Sequence, residues 1–250
     1  MGTVVSFSVY PGASGPEATA AGIARACDRL HEADAVFSTY MPDSPISRLR
    51  RGEAELAELP ADVAAVLNLC RQAKEASQGW FDPWALPGGV DPTGLVKGWA
   101  AERALSELVR ADVLGAMVNA AGDLVVCGRA GPAPSWRIGI AHPWLAGALA
   151  CVIEADAAVA TSGTYERGAH LIDPRSGHPR VRAASATVTG PSLAIADALA
   201  TALAVAGREA IELITNVAGY DAYLICADGS EHASAGIRFA PAPPADGDCP

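Results

Sequence analysis

Residues 3–10 alternate apolar and polar, with Val5, Phe7 and Val9 on one side, and predict a half-buried strand. After the turn PGASGP, Ile23, Cys27 and Leu30 fall at helical spacing between Glu17 and about Val36. The stretch 38–53, STYMPDSPISRLRRGE, reads as a polar loop broken by Pro42 and Pro45. A second helix starts after Leu59, with Pro60 in its first turn and Val63, Val66, Leu67 and Cys70 on its apolar face. Residues 79–94, GWFDPWALPGGVDPTG, form a long irregular segment. Its Trp80, Phe81 and Trp84 argue that this loop is ordered and functional. A third helix runs from about Leu95 to Val109, and strand-like segments follow at 117–128, 136–143 and 148–156. A polar loop at 161–180 leads to a strand at 184–189. Next come an unusually apolar helix from Ser192 to Ala206, a helix around 207–217, and two closing strands at 221–228 and 236–240. The sum is an α+β fold, helices packed on a largely antiparallel sheet, with a ligand cleft where the loops converge. Residues 1–240 read as one domain, and the Pro- and Asp-rich tail 241–250 is expected to be mobile.

Composition narrows the classes of function. Hydrophobic residues make up 50% of the 250 and charged residues 18%, a globular balance that needs no disulfide or structural metal. A net charge of −10 argues against nucleic acid, whose binding depends on Lys and Arg neutralising phosphates. An anionic ligand would therefore need local help from a metal, a helix N-terminus or one placed lysine. The six cysteines are scattered without a C-x-x-C pair, which fits free thiols in a reducing compartment. The N-terminus lacks a signal-peptide pattern, and no apolar run approaches the roughly 20 residues of a membrane span. The expectation is a cytoplasmic protein without a membrane or nucleic-acid partner.

Four places carry candidate chemistry. Asp197 sits in the apolar run SLAIADALATALAVAG, where an ionised, unpaired carboxylate would cost several kcal/mol if buried. Thr201, four residues on, shares its helix face. Either the pair marks a solvent-facing stripe, or it offers hard oxygen ligands of the kind that suit Mg²⁺. In VDPTGLVKGWA, Gly94 and Gly98 permit close backbone approach and Lys97 lies near a helix start, where anions are favoured. A surface lysine on a capped helix is the plainer reading, and its removal would cost the fold little. Small residues at 161–164 offer backbone N–H groups to a phosphate, His170 offers a base, and Asp173-Pro174 begins a turn. Tyr40 offers a ring for stacking or for packing alone.

The order of these pieces says more than any one of them. The series STYMPDSPISRL, GWFDP, VDPTGLVKGWAAE, NAAGDLVVCG, TSGTYERG, HLIDPRSG and ADALATAL resembles the ApbE family of flavin transferases over roughly residues 1–206. The resemblance implies a T-fold-like architecture of two lobes with a flavin cleft between them. It implies Mg²⁺-dependent transfer of FMN from FAD to a threonine in a short motif of an acceptor protein, with release of AMP. Asp197 and Thr201 then match side-chain metal ligands, and Gly94 and Ala200 match positions giving backbone carbonyls. Met1, Tyr40, Asp91, Lys97 and Ile172 match flavin-contacting positions, as does the segment Trp80, Phe81 and Asp82. His170 matches the family histidine that assists proton transfer. This sequence departs from the family in three places: a shorter segment between Asp82 and Asp91, Ala121-Gly122-Asp123 in place of G-G-D, and Glu102 where aspartate is usual. The same residues would also serve an FAD pyrophosphatase, or a non-catalytic FAD-binding protein.

Overall fold

The computed structural model describes residues 3–86, 88–133, 135–163 and 171–241. Seven strands form one sheet in the order β1-β2-β3-β6-β9-β10-β11, every neighbouring pair antiparallel. They are β1 (Val5–Tyr10), β2 (Gly115–Ala120), β3 (Asp123–Gly128), β6 (Ala158–Gly163), β9 (Ala183–Gly190), β10 (Asp221–Cys226) and β11 (Glu231–Ala233). A separate hairpin joins β4 (Trp136–Ala141) to β5 (Leu149–Ala155), and β7 (Ile172–Asp173) pairs with β8 (His178–Pro179). The helices are α1 (Gly15–Phe37), α2 (Pro45–Arg50), α3 (Ala61–Ala76), α4 (Thr93–Arg110), α5 (Leu193–Ala206) and α6 (Glu209–Thr215).

Strand alternation divides the sheet's two faces. Val118, Val125, Ala160, Ala186, Val188 and Leu224 pack against the apolar sides of the helices. Leu124, Val126, Val159, Tyr223 and Ile225, their chain neighbours one residue away, pack instead against Ile138, Ile140 and Ile153 of the β4–β5 hairpin. Helix α5 lies at the centre of the helical layer. Every residue in it except Thr201 is buried, which is why its sequence is apolar all round. Ala and Leu give it high intrinsic propensity, Ser192 caps its start, and Gly207, at φ +72°, ends it in a backbone region closed to most side chains. Helix α4 packs between α1 and α5. At its crossing with α5 a Cβ on Gly98 would lie 2.5 Å from the Leu193 carbonyl oxygen, so only glycine permits this approach.

The helices and most of the strands fall where the pattern puts them, with four differences. The polar stretch 38–53 contains α2, because Ser44 accepts the Ser47 N–H at 3.2 Å, donates to the Ser38 carbonyl at 2.7 Å, and lets Ile46 bury completely. The segment 117–128 is a hairpin rather than a single strand, turning at Ala121 (φ +50°) and Gly122 (φ +94°), with the Gly122 N–H donated to Asn119. Residues 161–163, expected to lie in a loop, finish β6 and pair with Ser185–Thr187 of β9. The last strand of the sheet is β11 rather than 236–240, which contributes only an isolated bridge from Phe239 to Ile153 of β5. No helix among the described residues is long and apolar enough to cross a membrane. Cys27, Cys70, Cys127, Cys151 and Cys226 are free thiols, and burial pushes Cys70 up to about 12.

Candidate functional site

A cleft of about 450 Å³ opens where the N-terminal end of α4, the middle of α5, the end of β6, β7 and the loops 38–40 and 80–91 meet. Ten of the residues singled out in the sequence line it: Tyr40, Trp80, Phe81, Asp82, Asp91, Gly94, Lys97, Ile172, Asp197 and Thr201. Ala200 is fully buried on α5 beside Thr201. Met1 and His170 lie outside the described residues, although His170 directly precedes Leu171 and Ile172 of the cleft wall.

The solvent-stripe reading of Asp197 does not hold, for the residue is 4% exposed. Helical spacing sets the Thr201 hydroxyl one turn on, and it too faces the cleft. Gly94 approaches from α4: a Cβ there would stand 4.0 Å from the Thr201 hydroxyl oxygen and 3.1 Å from the Phe81 ring. One carboxylate, one hydroxyl and a bare stretch of helix backbone thus converge. Among the described residues no group of three or more His, Cys, Asp or Glu is placed to hold a metal.

Lys97 sits one turn into α4 and forms an ion pair with Asp123, which is 1% exposed. The tight turn at Ala121-Gly122 delivers Asp123 to the start of β3. There its second oxygen accepts the Thr161 N–H at 2.9 Å. Burial drives the Asp123 carboxyl upward, opposed by the Lys97 charge and by the Thr161 N–H. The lysine is therefore a buried-pair partner rather than a surface residue, and its loss would strand a buried carboxylate. Asp123 is the buried partner of Lys97 that pattern reading missed. Its signal was the A-G-D turn, but its partner lies 26 residues away in sequence. The expectation of a phosphate-binding nest at 161–164 also changes. Residues 161–163 are strand and the Thr161 N–H is taken by Asp123, while Ser162 and Gly163 still line the cleft.

The other walls are fixed by local bonds. Asp91 accepts the Thr93 N–H at 3.0 Å, starting α4, and pairs with Arg50 at 3.1 Å. Asp82 pairs with Lys74 at 2.7 Å and accepts the Trp84 N–H. The Phe81 N–H is donated to Ser77, and the Arg175 guanidinium stands 3.6 Å from the centre of the Trp80 ring; both aromatics are buried, Trp80 beneath that cation. Arg175 reaches it from a turn that Asp173 organises. The Asp173 carboxylate accepts the Arg175 N–H and pairs with Arg180, and its carbonyl accepts the Gly177 N–H. Tyr40, by contrast, is 88% exposed at the rim, with its ring open to a ligand.

The family described as ApbE matches residues 1–88 and 85–224 of the chain. A protein of Rhodobacter capsulatus named FAD:protein FMN transferase is 36% identical over 159 residues, which are 60% of this chain and 30% of that protein. One of the same name from Vibrio cholerae is 34% identical over 131 residues, 48% of this chain and 39% of that one. The matched part of the chain thus spans well under half the length of these relatives. Among solved structures, the flavin transferase ApbE from Vibrio cholerae superposes with a TM-score of 0.79 and 22% identity, covering 94% of both chains. The ApbE protein from Thermotoga maritima gives 0.80 and 22%, again over 94% of both, so the fold is shared end to end. Since the family match runs from residue 1 to residue 224 with no gap, this chain belongs to the ApbE family.

Proposed function

We propose that this chain moves FMN from FAD to a threonine hydroxyl of an acceptor protein and releases AMP, working in the cytoplasm as a single catalytic domain over residues 1–240. The observation that carries the reading is the convergence of Asp197, Thr201, Gly94 and Lys97 with an aromatic wall in one cleft. The names of the curated relatives give the reaction class.

The buried Asp197 carboxylate and the Thr201 hydroxyl fit Mg²⁺, with the backbone carbonyls of Gly94 and Ala200 as further ligands. When bound, the ion would supply neutralising charge to a pyrophosphate. Lys97 contributes the ammonium that the sequence's acidic balance makes necessary, and Asp123 keeps it aimed. Tyr40, Trp80, Phe81 and Ile172 hold the flavin, with the exposed Tyr40 ring presenting a face for stacking. Asp82 and Asp91 act mainly by anchoring the loop to Lys74 and the start of α4. Met1 extends the flavin-contacting set at the N-terminal end. In the transfer, the threonine oxygen bonds to the FMN-side phosphorus and the bond from that phosphorus to the bridging oxygen breaks. AMP leaves with that oxygen, and the threonine proton passes to His170. Threonine is a weak nucleophile, and a positioned base answers that weakness.

The test is incubation with FAD, Mg²⁺ and a protein carrying a threonine acceptor motif, read by mass spectrometry. Covalent FMN on the acceptor is expected. AMP and free FMN with an unmodified acceptor would make the chain an FAD pyrophosphatase. FAD retained without AMP release would make it a flavin-binding protein.

A further inference from the structure

Helix α5 begins inside the protein. Leu193 and Ala194 are fully buried and Ile195 nearly so, yet the first N–H groups of any helix have no partner within it. The first turn of α5 holds no acidic residue, and the Ser192 hydroxyl accepts the Ile195 N–H at 3.5 Å. The N–H groups of Leu193 and Ala194 are met from another element. The Glu102 carboxylate of α4 accepts both, and it also bonds the Ser192 side chain. A carboxylate is suited to this place because the start of a helix carries partial positive charge.

The same stretch of α4 faces α5 at three successive turns. Gly94 stands beside Thr201, Gly98 lets the α4 backbone touch the Leu193 carbonyl, and Glu102 grips the α5 N-terminus. An apolar helix against an apolar neighbour has little to fix its position along its own axis. Ridge-and-groove packing tolerates slips and rotations that directional hydrogen bonds do not. We infer that Glu102 is a positioning residue for the ligand end of the cleft: by clamping the first turn of α5 onto α4, it sets where Asp197 and Thr201 stand relative to Gly94 and Lys97. The inference rests on the metal reading proposed above. It also gives the family departure at this position a physical content. Glutamate at 102 keeps the carboxylate of the usual aspartate, so the acceptor is preserved while the reach grows by one methylene.

Direct titration of Mn²⁺ as a Mg²⁺ probe, by electron paramagnetic resonance in the presence of saturating FAD, tests this beside thermal unfolding without metal. Glu102→Ala should weaken Mn²⁺ binding about tenfold or more, the range seen when groups that orient metal ligands are removed. Glu102→Asp should recover most of it. Wild-type Mn²⁺ affinity in Glu102→Ala, with only a lowered melting temperature, would reduce Glu102 to a cap that holds the fold and overturn the inference. If Glu102→Ala does not fold, Glu102→Met carries the comparison: it keeps the volume and removes both carboxylate acceptors, and wild-type Mn²⁺ affinity in it would be equally decisive against positioning. Asp197→Ala separates the two layers of argument: if it binds Mn²⁺ like wild type, the metal reading itself fails, whatever Glu102 does.

Discussion

The two ends of α4 each hold buried charge, and they treat it in opposite ways. Near its C-terminus, Glu107 meets Arg25, Arg29 and Arg110 at 2.8–3.3 Å, in the seam with α1. The arginines pull the carboxyl below its ordinary range. Near the N-terminus, Lys97 pairs with buried Asp123, while Asp197 and Thr201 line a cleft of about 450 Å³ a turn away. The first cluster closes a helix–helix contact. The second keeps its charged and hydroxyl groups on the wall of a space large enough for a ligand. A single helix thus carries one carboxylate closed into a helix–helix seam and one ammonium on the wall of a cleft, the difference set by what packs over each.

The comparison breaks most visibly at Asp197. Asp197→Ala should reduce AMP release on the order of 100-fold or more, since it removes the carboxylate donor at the proposed metal end. The melting temperature should hold or rise slightly, because a buried charge is lost and alanine is the better helix former. Retained Mg²⁺-dependent AMP release in a folded variant would return Asp197 to a structural role.

Lys97→Ala should do two things at once. FAD affinity should fall about tenfold to a hundredfold, as expected for losing a hydrogen bond to a charged group. Stability should fall by about 3 kcal/mol, because Asp123 is left buried without its ammonium. Asp123→Asn in the same chain keeps an acceptor for the Thr161 N–H and removes the stranded charge. The double variant should therefore regain much of the stability and none of the affinity. If it regains both, Lys97 belongs to the fold alone; flavin fluorescence titration and thermal unfolding together decide this.

The smallest effect belongs to the other end of the helix. Glu107→Gln should leave transfer unchanged and lower the melting temperature at neutral pH. The folded value of Glu107 lies below its unfolded one, so its contribution is complete above the ordinary carboxylate range near about 4.3. It is lost as pH falls from there through the folded value. The gap in melting temperature between wild type and variant should narrow over that acidic window. A gap constant with pH would mean that the arginines act by packing rather than by charge.

The sequence by itself determined what short-range physics controls. Apolar spacing predicts α1, α3, α4 and α5. Alternation predicts β1, and the Pro- and Gly-rich segment 79–94 reads correctly as irregular up to Pro92, where α4 begins. Even Asp197 is visible, because a carboxylate in so apolar a helix has to be explained. The misreadings lie where a local bond outweighs polarity: Ser44 starting α2 inside a polar stretch, and Ala121-Gly122 folding 117–128 back on itself. The tertiary structure alone decided the pairings. Lys97 looked like a solvated lysine until the sheet brought Asp123 beneath it, and Glu102, noted in the sequence only as standing where aspartate is usual, meets the first turn of α5 from 91 residues away. Pattern along the chain reports whether a position is buried. Which charge or donor meets it across the core depends on how sheet and helices stack, and no window of neighbouring residues carries that information.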